Sequence, residues 1–95
     1  MRVRYTRQAH VDIAAISAYL VERSPGAAKS VISAVEAGIA ALADFPLIAP
    51  ETDEAGVHEL TVPKYPYKVY YEVVGDEVRI LHMRDARRRP WRLER

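Results

Sequence analysis

The chain has 95 residues, of which 49% are hydrophobic and 28% charged, with a formal net charge of +1 and no cysteine. These values predict one globular domain over residues 1–95 with little spare area for a deep pocket, and they exclude disulfides, thiolate chemistry and cysteine-based zinc sites. Because the charged N-terminus precedes no apolar run and no stretch of about 18 uncharged apolar residues occurs, we expect a cytoplasmic protein without a signal peptide or transmembrane helix.

The chain opens with a strand pattern that changes into a helical one. In residues 2–5, Val3 and Tyr5 alternate with two arginines, and this period of two predicts a strand. Thr6 then offers a side-chain oxygen suited to an N-cap. From residue 7 to about residue 23 the apolar positions recur at spacings of four, three and four, which predicts a helix with one apolar face.

A second helix is predicted to follow at once. Proline suits the first turn of a helix, so Ser24-Pro25 indicates both the end of the first helix and the capped start of the next. The second helix is expected to run to about Phe45, where Pro46 stops it. The short connection predicts an antiparallel helical hairpin. The apolar stripe of the second helix is wide and includes Val31, Val35 and Leu42. Its width indicates that other parts of the protein cover this helix on more than one side.

The second half of the chain is expected to form strands. An acidic loop over residues 46–56 leads to strand patterns at 57–62, 67–74 and 77–83. Gly75-Asp76 predicts a two-residue hairpin turn of type II′. In the last strand Val78, Ile80 and His82 are expected to share one face. The order β-α-α-β-β-β predicts a two-layer α+β domain, with the helical hairpin on one face of an antiparallel sheet.

Charge is distributed unevenly along the chain. Residues 84–95 contain six arginines against two acidic residues, a balance of +4, which leaves −3 for the first 83 residues. No lysine or arginine occurs between Ser30 and Pro63. The basic C-terminal end predicts an acidic or polyanionic partner there, whereas a solvated tail is the alternative reading of the same charges. An exposed Trp91 would add an anchor, although it equally suits folding back on the core.

No common catalytic motif is present. The chain lacks a glycine-rich phosphate loop, a nucleophile elbow and a His-Glu-x-x-His helix. His10, His58 and His82 have no short ligand spacing, so we predict no metal site. Nothing in the sequence indicates a cofactor.

Two segments make the chain similar to the ParE/RelE toxin superfamily, and in particular to its ParE branch. One is the tyrosine-rich run from Leu60 to Val73, which contains Tyr65-Pro66-Tyr67-Lys68-Val69-Tyr70-Tyr71-Glu72. The other is the strand that continues into Arg84-Asp85-Ala86-Arg87-Arg88-Arg89-Pro90-Trp91. The opening strand, the helical hairpin with Ser24-Pro25 and the Phe45-Pro46 stop extend the resemblance over nearly the whole chain.

The resemblance implies the toxin of a type II toxin–antitoxin system, which is involved in plasmid stabilization and growth inhibition. Its antitoxin would be a ParD-like protein from the same operon, whose C-terminal segment wraps the toxin by helix-in-groove and strand-addition contacts. We expect that segment to contact the second helix and the exposed loop tyrosine, at Val31, Val35, Leu42 and Tyr65.

Two activities divide the superfamily. ParE-like members inhibit DNA gyrase, and here the target would be bound by Arg84, Arg87, Arg88, Arg89 and Trp91. RelE-like members cut messenger RNA in the ribosome, and for that reaction Lys64, Arg84 and Arg87 would supply cations to the phosphate. RelE-like proteins often use a C-terminal tyrosine, but this chain has no tyrosine after Tyr71. The gyrase reading is therefore favoured and ribosome-dependent cleavage is the alternative.

Overall fold

A computed structural model describes residues 1–87 of the chain. The elements are β1 (Arg2–Tyr5), α1 (Arg7–Arg23), α2 (Pro25–Ala41), β2 (His58–Thr61), β3 (Tyr67–Val74) and β4 (Glu77–Asp85). The four strands form one sheet in the order β1-β4-β3-β2, with both helices packed against it. The predicted α+β class and element order are confirmed. No helix in the described part of the chain is long and apolar enough to cross a bilayer.

Local sequence determines where both helices begin. The Thr6 hydroxyl oxygen accepts a hydrogen bond from the Ala9 N–H at 3.2 Å, and the Ser24 hydroxyl oxygen accepts one from Ala27 at the same distance. Pro25 lies in the first turn of α2, where no intrahelical partner is required for its missing N–H. Both predicted caps are therefore confirmed.

The sheet is mixed. β2, β3 and β4 pair antiparallel as predicted, but β1 pairs parallel with β4, so the expectation of a purely antiparallel sheet is corrected at that edge. Thr6 helps to join these two strands, because its N–H and its hydroxyl both donate to the carbonyl of Ile80, at 3.0 and 2.8 Å. β1 and β4 are separated by both helices and two strands, and no turn pattern encodes such a pairing.

A β-bulge changes the alternation that we expected in β4. The register shifts between Tyr70 and Tyr71 of β3, opposite residues 80–82 of β4. A bulge inserts one extra residue on one strand and reverses the faces beyond it. Met83, with 2% of its surface exposed, therefore takes the core position that the alternation assigned to His82.

The core lies between the helices and one face of the sheet. Its fully buried side chains come from both layers and include Val35, Ile39, Leu42, Val69, Tyr71, Val78 and Ile80. α2 ends at Ala41 rather than at Phe45, because the backbone tightens into turns over residues 42–44. Phe45 consequently leaves the apolar stripe of α2 and is 61% exposed.

Candidate functional site

The predicted basic end is built where β3 begins and β4 ends. Lys68 is paired with Arg84 across the two strands, and the Ala86 N–H donates to the Pro66 carbonyl at 2.6 Å. The β2–β3 loop that carries Lys64 therefore lies at the same end of the sheet as Arg84 and Arg87. The other predicted contacts in this region, Arg88, Arg89 and Trp91, lie outside the described residues.

Asp85 has a structural role at this end. Its carboxylate receives a two-pronged pair from the Arg87 guanidinium, at 3.1 Å from Nε and 2.7 Å from Nη2, and it also accepts the Arg87 N–H at 2.9 Å. These hydrogen bonds and the charge of Asp85 raise the pKa of Arg87. The Arg87 side chain is 66% exposed. Asp85 therefore holds the guanidinium in place on one side, while the rest of the guanidinium is accessible to solvent.

A polar network crosses three strands on the sheet. The Glu59 carboxylate of β2 accepts hydrogen bonds from Lys68 Nζ at 2.9 Å and from the Tyr70 hydroxyl at 3.0 Å. Arg84 Nε donates to the same tyrosine oxygen at 3.2 Å. Burial opposes ionisation of Glu59, but the Lys68 and Tyr70 hydrogen bonds and the two nearby cations outweigh it and lower the pKa of the carboxyl. Burial, with a further effect of Glu59, raises the pKa of Tyr70.

The three cations predicted for nucleotide chemistry have different environments. Arg84 donates to Tyr70 and also, through Nη1, to the Asp85 carbonyl at 2.8 Å. Lys64 is exposed in the loop and has a backbone φ of 72°, which is rare for a residue other than glycine. Within residues 1–87 no cluster of three potential metal ligands occurs. The arrangement can bind an anion or a carboxylate without further groups.

The residues predicted for antitoxin contact lie deeper than expected. Val31, Val35 and Leu42 are 4%, 1% and 0% exposed and fill the protein's own core, so their side chains present almost no surface to a partner. Tyr65 is half-buried and packs against the same core. Among the described residues, the three most exposed large apolar side chains lie instead just after α2, where Phe45, Leu47 and Ile48 are 61%, 69% and 65% exposed.

A contact that joins α1 to β4 was not predicted from the sequence. Oδ2 of Asp12 accepts the backbone N–H of Met83 at 3.0 Å and lies 2.5 Å from Nδ1 of His82. Both side chains are largely buried, at 14% and 13% exposure. Burial lowers the pKa of His82 despite the neighbouring carboxylate. Asp12 lies off the apolar stripe of α1, as the exposed Arg7 and Glu22 do, so its position in the sequence does not indicate this contact.

Comparisons with known proteins agree with this architecture. The sequence model of the family described as the ParE toxin of type II toxin-antitoxin system, parDE, matches residues 3–90. Nine chains in solved structures are similar to the chain. One of them, from the chromosomal ParDE TA system from P. aeruginosa, is 25% identical and superposes with a TM-score of 0.68, over 87% of this chain and 92% of that one. No curated protein sequence is similar enough to count as a match.

Proposed function

The chain belongs to the ParE toxin family of type II toxin–antitoxin systems, and from this membership we propose that it arrests growth by binding DNA gyrase. We also propose that a ParD-like antitoxin from the same operon neutralises it. The family match over residues 3–90 carries the proposal, because it includes every strand and helix described above apart from Arg2, the first residue of β1. Both partners would be met in the cytoplasm.

We assign target binding to the basic C-terminal end. Arginine guanidinium groups form bidentate hydrogen bonds with carboxylates, and arginine and tryptophan are enriched among the residues that dominate binding energy at protein interfaces. Arg84 and Arg87 supply two such groups, and the proposed surface continues into Arg88, Arg89 and Trp91. Asp85 orients Arg87 through its two-pronged pair, which reduces the entropy that this side chain loses on binding.

For the antitoxin we propose two contact areas. An acidic segment would meet the arginines, and an apolar segment would cover the exposed residues that follow α2. Phe45, Leu47 and Ile48 support the second area, because adjacent large apolar side chains exposed on a small protein are typical of interaction surfaces. Tyr65 stays in the proposed antitoxin surface through the part of its side chain that is exposed.

Ribosome-dependent cleavage of messenger RNA stays the second candidate because of the polar network. Tyr70, Lys68 and Arg84 combine a hydroxyl with two cations at one site, and Lys64 and Arg87 lie at the same end of the sheet. Cleavage requires a group that takes up the ribose hydroxyl proton. Tyr70 is poorly suited to that role, because it is 5% exposed and its raised pKa keeps the phenol protonated at neutral pH.

One pair of assays tests the proposal against the alternative. Purified toxin is expected to inhibit gyrase supercoiling or to trap cleaved DNA, and an equimolar amount of the antitoxin is expected to reverse the effect. The double variant R84A/R87A should lose activity, whereas Arg7→Ala, which removes an exposed arginine of α1, should retain it. Unchanged gyrase activity would reject the proposal. Messenger RNA cleavage in a translating extract that is lost in R84A would establish the alternative.

A further inference from the structure

A concave site lies between β1 and the two helices, apart from the basic end. It is a cleft of about 280 Å³ lined by Tyr5, His10, Ile13, Ile32, Val35 and Glu36. Its size is at the lower end of the range of small-molecule sites, roughly 300–1,000 Å³. It is therefore suited to a single side chain of a partner protein.

The chemistry of the lining is divided into apolar and polar parts. Ile13, Ile32 and Val35 provide aliphatic contacts, whereas the rings of Tyr5 and His10 stack at a centroid distance of 5.4 Å and form an aromatic side. Glu36 contributes the one formal negative charge of the lining. A side chain with an aliphatic stem and a cationic tip matches these groups, because its stem can bury against apolar surface while its tip reaches a carboxylate and aromatic rings.

Within residues 1–87 no lysine, arginine or histidine forms an ion pair with Glu36. The sequence has no lysine or arginine from Ser30 to Pro63. Its charge acts within the cleft, since burial and the negative charge of Glu36 together raise the pKa of Tyr5. A cation that enters the cleft therefore meets a carboxylate that no other described residue pairs with.

The cleft borders an edge of the sheet at which no strand of residues 1–87 pairs with β1. β1 is the outermost strand, and Arg2 and Thr6 direct their N–H groups towards β4. Since successive residues of a strand direct their backbone groups to opposite sides, those of Val3 and Tyr5 point away from β4. Tyr5 belongs both to this edge strand and to the cleft lining, so a polypeptide segment that pairs with β1 would lie beside the cleft.

We propose that this cleft receives one lysine or arginine side chain of the antitoxin, which pairs with Glu36, and that it is a specificity-determining site for the cognate antitoxin. The inference rests on the proposed function, because it names the antitoxin as the partner. It requires a neutralising segment with separated charges, acidic where it meets Arg84 and Arg87 and basic where it passes α2. The antitoxin would then bind weakly to a toxin from another system that lacks a carboxylate at the position of Glu36.

The test measures antitoxin affinity by titration calorimetry for the wild type, Glu36→Gln, Glu36→Lys and the control Glu22→Lys. Glu22 is an exposed acid on α1, outside the cleft and outside every ion pair of the described residues. We expect E36Q to weaken binding about tenfold and E36K about 100-fold or more, because a partner cation is left unpaired or opposed, whereas E22K changes it less than about twofold. Each lysine and arginine of the antitoxin is then changed to glutamate and tested against E36K, and one of these reversals should restore affinity.

Several outcomes would overturn the inference, and they differ from failure of the proposed function. If the antitoxin binds the wild type and E36K equally well, the cleft does not bind a cation of the antitoxin, but the antitoxin is still a partner of the toxin. Failure of every charge reversal to rescue E36K would reject the ion pair. A change in self-association of the free toxin on sedimentation, without loss of antitoxin affinity, would assign the cleft to a second copy of the chain. Absence of antitoxin binding by the wild type would reject the proposed function as well.

Discussion

Replacement of Asp12 by alanine is expected to destabilise the protein by removing a contact between α1 and the end of β4. In the native protein Oδ2 of Asp12 accepts the Met83 N–H at 3.0 Å and contacts His82 Nδ1 at 2.5 Å, while Oδ1 accepts Gln8 Nε2 at 2.7 Å. The Met83 amide lies beyond the end of β1, which pairs with β4 as far as Ile80. The Asp12 carboxylate thus accepts a backbone hydrogen bond that the carbonyl of a neighbouring strand would otherwise accept.

The size of the effect follows from burial. An unsatisfied buried N–H costs about 1–3 kcal/mol, and the lost hydrogen bond of His82 adds about 1 kcal/mol, so Asp12→Ala should lower the free energy of unfolding by about 2–4 kcal/mol. Asp12→Asn should cost about 1 kcal/mol, because the amide oxygen can replace Oδ2 while the amide nitrogen faces Gln8. The exposed Gln8 contact contributes little in either case.

Urea unfolding followed by circular dichroism measures this difference. With a slope of about 1–3 kcal/mol per molar urea for a small protein, a loss of about 3 kcal/mol moves the midpoint by about 1–3 M. Glu22→Ala on the same helix is the control and should stay within about 0.5 kcal/mol of the wild type. If Asp12→Ala also stays within that range, Asp12 does not hold α1 to β4 and the reasoning is refuted.

Three further predictions concern the backbone, the pH dependence and the core. Gly75 has a φ of 61° and Lys64 a φ of 72°, a region that favours glycine. Gly75→Ala should therefore destabilise the protein by about 1 kcal/mol, and Lys64→Gly should stabilise it by up to about 1 kcal/mol. Changes of the same sign in the free energy of unfolding, measured in urea, would contradict this. Because burial holds the pKa of His82 below 6.5, the unfolded chain binds more protons than the folded one below that pH. Its contribution to stability is therefore complete above about pH 6.5 and lost as the pH falls; a melting temperature equally pH-dependent in H82Q would exclude His82 as the cause. Leu42→Ala should cost about 2–5 kcal/mol and Leu47→Ala less than about 0.5 kcal/mol, since they are 0% and 69% exposed; comparable losses would contradict their assignment to core and surface.

Much of the local structure was predictable because short-range rules determine it. Thr6 and Ser24 cap helices through hydrogen bonds to residues three positions later, and such contacts are visible in a linear pattern. The glycine of the β3–β4 turn has the positive φ that a type II′ hairpin requires. The end of α2 was placed too late, because turns and helices share a similar apolar spacing over their last residues.

The candidate sites were less predictable, because they depend on residues that are distant in the chain. Asp12 and Met83 are 71 residues apart, and Glu59 meets Lys68, Tyr70 and Arg84 only once β2, β3 and β4 are in register. The apolar residues of α2 that were predicted to contact a partner are buried in the protein's own core. An apolar stripe in a sequence does not distinguish a core from an interface, because both are driven by the same removal of apolar surface from water.

The sequence by itself determined the elements, their order, both helix caps and the family, since each is recorded in local periodicity or in a contiguous motif. The tertiary structure alone decided the parallel pairing of β1 with β4, the bulge that places Met83 rather than His82 in the apolar core, and the cleft that collects Tyr5, His10 and Glu36. These features depend on which segments lie next to one another in the folded protein. The arrangement of the segments is the one of lowest free energy for the whole chain, and no single segment encodes it.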